Sequence, residues 1–217
     1  MAKILLSSAY LGPVEYFTCI LGSEEIWIDQ FENFHKQTYR NRCIIMGANG
    51  IIPLVVPVTA GRGSKTTIKD ITISYDTEWQ RIHWKSIFSA YGSSPFFQYY
   101  DSEIAPFYHR KKWKFLLDFN LSIQEKVLEL IGITPNVIMT SGFEQVKEPY
   151  MNLREKINPF TKASGADLSF FPKKYNQVFS ERFGFVPNLS IIDLLFNEGP
   201  DSLSVLQGSS SDLLQAV

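Results

Sequence analysis

Apolar positions fall in short, well-punctuated blocks along this chain. Lys3-Ile4-Leu5-Leu6 breaks at Ser7-Ser8 and reads as a buried first strand. Tyr10-Leu11-Gly12-Pro13 is a loop, and Pro13 suits the first turn of a helix that runs to Leu21. Val14, Phe17, Cys19, Ile20 and Leu21 give that helix a broad apolar face, with Glu15 turned to water, and Gly22-Ser23 stops it. Ile26-Trp27-Ile28-Asp29 then forms a second strand ending in a carboxylate. A strand, a helix and a strand within about 30 residues make a βαβ unit, which implies parallel, right-handed pairing. Next come Cys43-Ile44-Ile45-Met46 and Ile51-Ile52-Pro53-Leu54-Val55-Val56, separated by Gly47-Ala48-Asn49-Gly50. Asn-Gly between β-rich runs predicts a hairpin. Ile68-Lys69-Asp70-Ile71-Thr72-Ile73-Ser74 alternates as a half-buried strand does.

Helical spacing takes over from Trp79 to Tyr91. Trp79, Ile82, His83, Ser86, Ile87 and Ala90 form one stripe, with Trp84, Phe88 and Tyr91 beside it, which predicts burial on most sides. A further helix is expected from about Ser102 to Leu117, with His109-Arg110-Lys111-Lys112 and Lys114 as a solvated basic face. Asn120 is placed to cap a helix through Ile131 that Gly132 ends, and a strand is expected over Ile133–Met139. Pro149 to Gln177 has no clear period and is basic, so it could fold over an anionic ligand. Ser190-Ile191-Ile192-Asp193 resembles a capping box, Gly199-Pro200 closes that helix, and Asp201-Ser202 begin a last short one. The pattern describes an α/β protein with an N-terminal βαβ (Rossmann-like) core, a β-hairpin and a helical C-terminal part. One domain over residues 1–217 is expected, with 1–140 as the α/β core and 141–217 as a long loop and helices packed on it.

Composition narrows the class. The 217 residues are 45% hydrophobic and 20% charged, enough for a full core. Lys plus Arg number 21 against 22 for Asp plus Glu, so no net field favours nucleic acid or an anionic membrane. Two cysteines, Cys19 and Cys43, form no disulfide framework, no signal peptide is evident and no apolar run is long enough to span a bilayer. A cytoplasmic protein is expected, with its oligomeric state left open.

Candidate chemistry follows from where the strands end. Ligands of open α/β sheets sit at the carboxyl ends of strands, which points to Ser7, Ser8 and Tyr10, and to Asp29 with the cationic stretch His35 to Arg42. The glycine-rich dinucleotide fingerprint is absent, as are a Gly-x-Ser-x-Gly elbow and clustered metal ligands, so no cofactor and no metal are expected. Thr59 to Lys65 is a glycine-interrupted basic loop without phosphate-loop spacing. His83 admits two readings, a core histidine bonded to backbone or a desolvated acid–base group. Cys43 follows Arg42, whose charge would lower the thiol pKa, and it also fits a small buried residue. Lys36, Arg40, Arg42, Lys69, His83 and Arg154 are suited to gripping phosphate, pyrophosphate or carboxylate.

The chain resembles the WbqC-like family of bacterial proteins, often encoded within surface-polysaccharide (O-antigen) gene clusters. Tyr10-Leu11-Gly12-Pro13-Val14-Glu15-Tyr16-Phe17 matches that family's opening Tyr-Leu-Pro-Trp-x-Gly-Tyr-Phe-like segment at Tyr10, Leu11, Tyr16 and Phe17, while the Gln-Pro usually before it stands here as Ser7-Ser8. Further matches are Lys36, Asn41-Arg42, Asn49-Gly50, Leu54 to Val58, His83-Trp84-Lys85, Ala90-Tyr91, Pro95-Phe96-Phe97 and Leu189 to Pro200. The resemblance covers most of the chain and implies a transferase of O-antigen biosynthesis, with transfer of glycine to a sugar as the suggested reaction. On that basis His83 is expected as general base and Asn41 as the residue orienting substrate. Tyr10, Lys36, Arg40, Arg42, Lys69, Arg154 and Asn197 are expected to bind a small anionic substrate such as a sugar nucleotide. The alternative is a non-catalytic sugar-nucleotide or protein-binding subunit of the same pathway.

Overall fold

A parallel sheet of four strands supports the molecule. The computed structural model describes residues 2–59, 66–109, 113–142, 150–159 and 170–210. Strand β1 (Ala2–Leu6) pairs in parallel with β2 (Ser23–Ile28), and helix α1 (Val14–Leu21) connects them. Ile4, Leu5 and Leu6 are all buried, as a strand covered on both faces requires, which is why the run is continuous and not alternating. Strands β3 (Arg42–Gly47) and β4 (Gly50–Val55) form the expected hairpin, in the register Gly47↔Gly50. Its turn residues are Ala48 and Asn49, and among the four only Gly50 has positive φ, at 118°.

Strands β5 (Val58–Thr59) and β6 (Thr72–Ile73) make a small antiparallel pair. Helices α2 (Trp79–Tyr91), α3 (Phe97–Ile104), α4 (Pro106–His109) and α5 (Leu116–Ile131) follow. Strands β7 (Val137–Met139) and β8 (Tyr150–Asn152) complete the sheet in the order β7-β2-β1-β8. The chain therefore steps outward from β1 to β2 and β7, then returns to the other side of β1. That reversal opens a crevice between the carboxyl ends of β1 and β8, the usual ligand position of such sheets. Helices α6 (Ser180–Phe183), α7 (Ile191–Glu198) and α8 (Ser202–Gly208) finish the described chain.

Several expected elements take a different form. The helix expected over Ser102–Leu117 is broken, because Trp113 to Phe115 run extended: Ile73 N–H donates to the Lys114 carbonyl at 2.9 Å and Leu116 N–H to the Ile71 carbonyl at 2.9 Å. Asn120 is no cap but an interior residue of α5, spent on tertiary hydrogen bonds. Residues Ile68–Asp70 form a 3₁₀ turn in place of a continuous strand. Ile82 and Phe88 are 53% and 58% exposed, so α2 buries one stripe and not most of its circumference. Ser190 precedes α7, yet its hydroxyl donates to the Leu11 carbonyl at 2.7 Å and Asp193 accepts from Tyr175 and Gln177, so the capping box is not formed. Within the aperiodic stretch lies β8, while residues 160–169 of it, most of the 59–65 basic loop and the Arg110–Lys112 cluster lie outside the described residues.

The loop after β1 is held from several sides. Leu11 has φ 42°, an uncommon value for a side-chain-bearing residue. Its carbonyl is tied to Ser190, Ile191 N–H donates to the Gly12 carbonyl at 2.9 Å, and Val14 N–H donates to the Leu189 carbonyl at 3.0 Å. The amino end of α7 thus clamps the turn from which the βαβ helix springs.

Candidate functional site

Each parallel strand delivers a polar residue to its carboxyl end: Ser7, Asp29, Thr140 and Arg154. Asp29, fully buried, turns the chain after β2: its Oδ1 accepts from Phe31 N–H at 2.9 Å, Glu32 N–H at 3.1 Å and the Thr140 hydroxyl at 3.3 Å. Its Oδ2 accepts from Arg154 Nη1. Arg154 is fixed in turn by Asn152, whose Oδ1 takes the Arg154 backbone N–H and Nε, each at 3.1 Å.

The turn after Asp29 brings Glu32 under the same edge. Glu32 accepts Nε and Nη2 of Arg40 at 2.8 and 2.6 Å, a two-point grip that sets the guanidinium plane, and the Ser7 hydroxyl at 3.0 Å. Arg40 Nη2 also donates to Glu155 at 3.0 Å. Burial opposes the Arg40 charge, but the Glu32 and Glu155 carboxylates outweigh it and hold its pKa above the ordinary value. Removing one partner of a buried pair leaves an uncompensated charge, costing about 3–5 kcal/mol, so Arg40 and Glu32 stand or fall together. Beneath them Asn120 donates to Ser8 Oγ at 3.3 Å and to the Arg40 carbonyl at 2.8 Å, and Tyr16 donates to the Ser7 carbonyl at 3.0 Å. The crevice among Ser7, Ser8, Tyr16, Tyr39, Arg40 and Arg154 has a volume of about 10 Å³, room for about one water.

A second polar system lies behind the loop. His83 is 3% exposed, and its Nε2 lies 3.2 Å from the Val55 carbonyl, which can only accept. Nε2 therefore carries the proton, and Nδ1 accepts from the Tyr10 hydroxyl at 2.9 Å. The Tyr10 oxygen in turn accepts from Tyr108 at 2.7 Å. Burial pushes the His83 pKa down to about 4, against the opposing Val55 hydrogen bond, and pushes both tyrosines well above their usual range. All three groups are neutral near pH 7.

The structure thus brings Arg40 and Arg154 together at the edge and links Tyr10 to His83 behind it. Lys69 sits beside the edge, its ammonium 4.1 Å from the centre of the Phe31 ring. Lys36 is exposed on the loop before Arg40. Asn41 is buried and donates to the Val56 carbonyl at 3.1 Å, while Arg42 pairs across the hairpin with Val55. Asn197 lies within α7 and donates to the Asp193 carbonyl at 2.7 Å. Cys43 is fully buried, and burial raises its thiol pKa, the opposite of the lowering that Arg42 suggested. Sequence reasoning missed Glu32, Glu155, Asn120, Thr140 and Tyr108 as members of these networks. For Glu32 alone there was a signal, its place three residues after a strand-ending Asp. A larger open cleft of about 600 Å³ lies between α5 and β7, lined by Leu121, Leu128, Val137 and Met139 with Glu125 and Glu129 at hand, and none of the sequence candidates borders it.

Fold and geometry define an α/β protein with a four-stranded parallel sheet and a paired-charge cluster at its carboxyl edge. The chain belongs to the WbqC-like protein family, whose sequence model matches residues 8–174 and 156–205. The uncharacterized protein Rv1507c of Mycobacterium tuberculosis is 23% identical over 231 residues, covering 95% of this chain and 98% of its own. No solved structure matches. Among the described residues no helix is long and apolar enough to cross a membrane.

Proposed function

We propose that this protein is a group-transfer enzyme of bacterial surface-glycan biosynthesis that holds a small anionic substrate, a nucleotide-linked or lipid-linked sugar, at the carboxyl edge of its sheet. One arrangement carries the reading: arginines and carboxylates gathered in and around the crevice where the strand order reverses. Arg40 and Arg154 grip the anionic group, and Lys69 and Lys36 extend positive charge outward from it. In this reading His83, Tyr10 and Asn41 are positioning residues, fixing the β1 loop and the hairpin from behind, with Arg42 and Asn197 further out. Resemblance to the WbqC-like family supplies the glycan context, and glycine is the group it suggests is transferred.

The test is mass-spectrometric detection of product after incubation with nucleotide-linked sugars and activated glycine donors. Product is expected from the unaltered chain, falling about 10²-fold in Arg154→Lys, which keeps a charge beside Asp29 but misplaces the fork. A second reading, a non-catalytic sugar-nucleotide or protein-binding subunit of the same pathway, is favoured by one observation. His83 has both ring nitrogens engaged and a pKa of about 4, so it offers no ready base near neutrality. Ligand binding without product under any donor would establish that reading instead.

A further inference from the structure

We propose that Glu155 is a displaceable stand-in on Arg40 for the carboxylate or phosphate of a small ligand, an inference that rests on reading the crevice between β1 and β8 as the substrate site. Arg40 is 2% exposed, yet its hydrogen-bonding capacity is not consumed by buried partners. A guanidinium has five N–H donors. Glu32, itself buried and tied to Ser7, takes two of them in fixed geometry. A third goes to Glu155, whose side chain is 67% exposed and free to turn into water. Nη1 has no hydrogen-bond partner among the described residues, and Arg40 lines the crevice.

Charge explains why Glu155 is the member that leaves. Among the described residues, the ion pairs of the cluster set three carboxylates, Asp29, Glu32 and Glu155, against the guanidiniums of Arg40 and Arg154. An anion added beside Arg40 with Glu155 in place therefore meets two carboxylates already on that guanidinium. An anion that replaces Glu155 leaves the charge count unchanged and avoids the cost of burying an extra charge. It also reaches Nη1, so a two-oxygen group spans Nη1 and Nη2 where Glu155 uses Nη2 alone. Glu32 keeps the guanidinium in place throughout. The shared chemistry is a small oxyanion, and Glu155 sets a threshold that weakly held anions do not pass.

The experiment uses the full chain. Thermal unfolding is titrated with inorganic phosphate and, separately, with acetate, each against chloride at matched ionic strength, in the unaltered protein and in Glu155→Gln. Because an exposed partner competes weakly, Glu155→Gln is expected to bind one of the two anions about 1.5- to 5-fold tighter, and the anion that responds tells phosphate from carboxylate. The double variant Arg40→Met with Glu32→Leu removes both members of the buried pair together, so no buried carboxylate is orphaned and only the exposed Glu155 loses its partner, and it is expected to bind neither. Unchanged or weaker affinity in Glu155→Gln overturns the proposal, as does retained binding in the double variant, or no binding of either anion by both the unaltered chain and Glu155→Gln. Should the double variant fail to fold, the Glu155→Gln comparison still decides. Tighter anion binding with no transfer product would sink the enzyme reading and leave this one standing; product with unchanged Glu155→Gln affinity would do the reverse.

Discussion

His83 illustrates how burial decides what a titratable side chain can do. Its imidazole has a pKa of about 4 in the folded protein against an ordinary 6.5, so the unfolded chain takes up a proton that the folded chain refuses. The sign follows directly: the group contributes nothing adverse above pH 6.5, and stability is lost as pH falls from 6.5 towards 4. Full desolvation of this kind amounts to about 3 kcal/mol over that window. Urea unfolding across it is expected to show a steep acid loss that flattens in His83→Gln, which keeps polarity without a titrating ring. An equal slope in the variant would contradict a depressed histidine. From the sequence alone, a histidine in an apolar stripe fitted either a core group or a base. Its Val55 and Tyr10 partners stand 28 and 73 residues away, beyond any local pattern.

At the scale of elements, what was legible had a local cause. The β1–α1–β2 unit could be read because Ile4-Leu5-Leu6 and Ile26-Trp27-Ile28 are compact apolar runs, although β2 begins earlier, at Ser23, and the end of α5 because Gly132 supplies a left-handed stop. Gly132 has φ 82°, its N–H donates to the Glu129 carbonyl at 3.0 Å, and Ile133 N–H donates to the Leu128 carbonyl at 2.9 Å. An added Cβ there meets nothing within 4 Å, so Gly132→Ala carries only the backbone penalty, about 1 kcal/mol by denaturant unfolding. No loss would mean that the helix end relaxes into another cap. Strand β8 was not legible, because Tyr150-Met151-Asn152 is too short to show a period and owes its form to pairing with Lys3, Ile4 and Leu5. Asn120 was misread because the amide that suits a cap suits a buried tertiary bond equally well. The extended Trp113–Phe115 break likewise depends on β6, some forty residues earlier, and on nothing in its own spacing.

Across the whole molecule, one loop joins the two polar systems. Ser7 and Ser8 belong to the charged edge, and Tyr10 belongs to the chain that ends on His83. The clamp of α7 on Leu11 and Gly12 fixes both at once, so the helical C-terminal part braces the face on which the sheet presents its polar residues. The strand-end rule found Arg40 through position, whereas Arg154 was read only as a cation of the aperiodic basic stretch, and Glu155, 115 residues from Arg40, came together with it only through folding. The central claim is that ligand binds at this edge. Its most direct test is a structure with the first compound that stabilises the protein in a thermal-shift screen of nucleotides, sugar nucleotides and amino acids. The expected result is a ligand between the carboxyl ends of β1 and β8, touching Arg40 and Arg154. A ligand seated in the cleft between α5 and β7, with the edge unchanged, would contradict it.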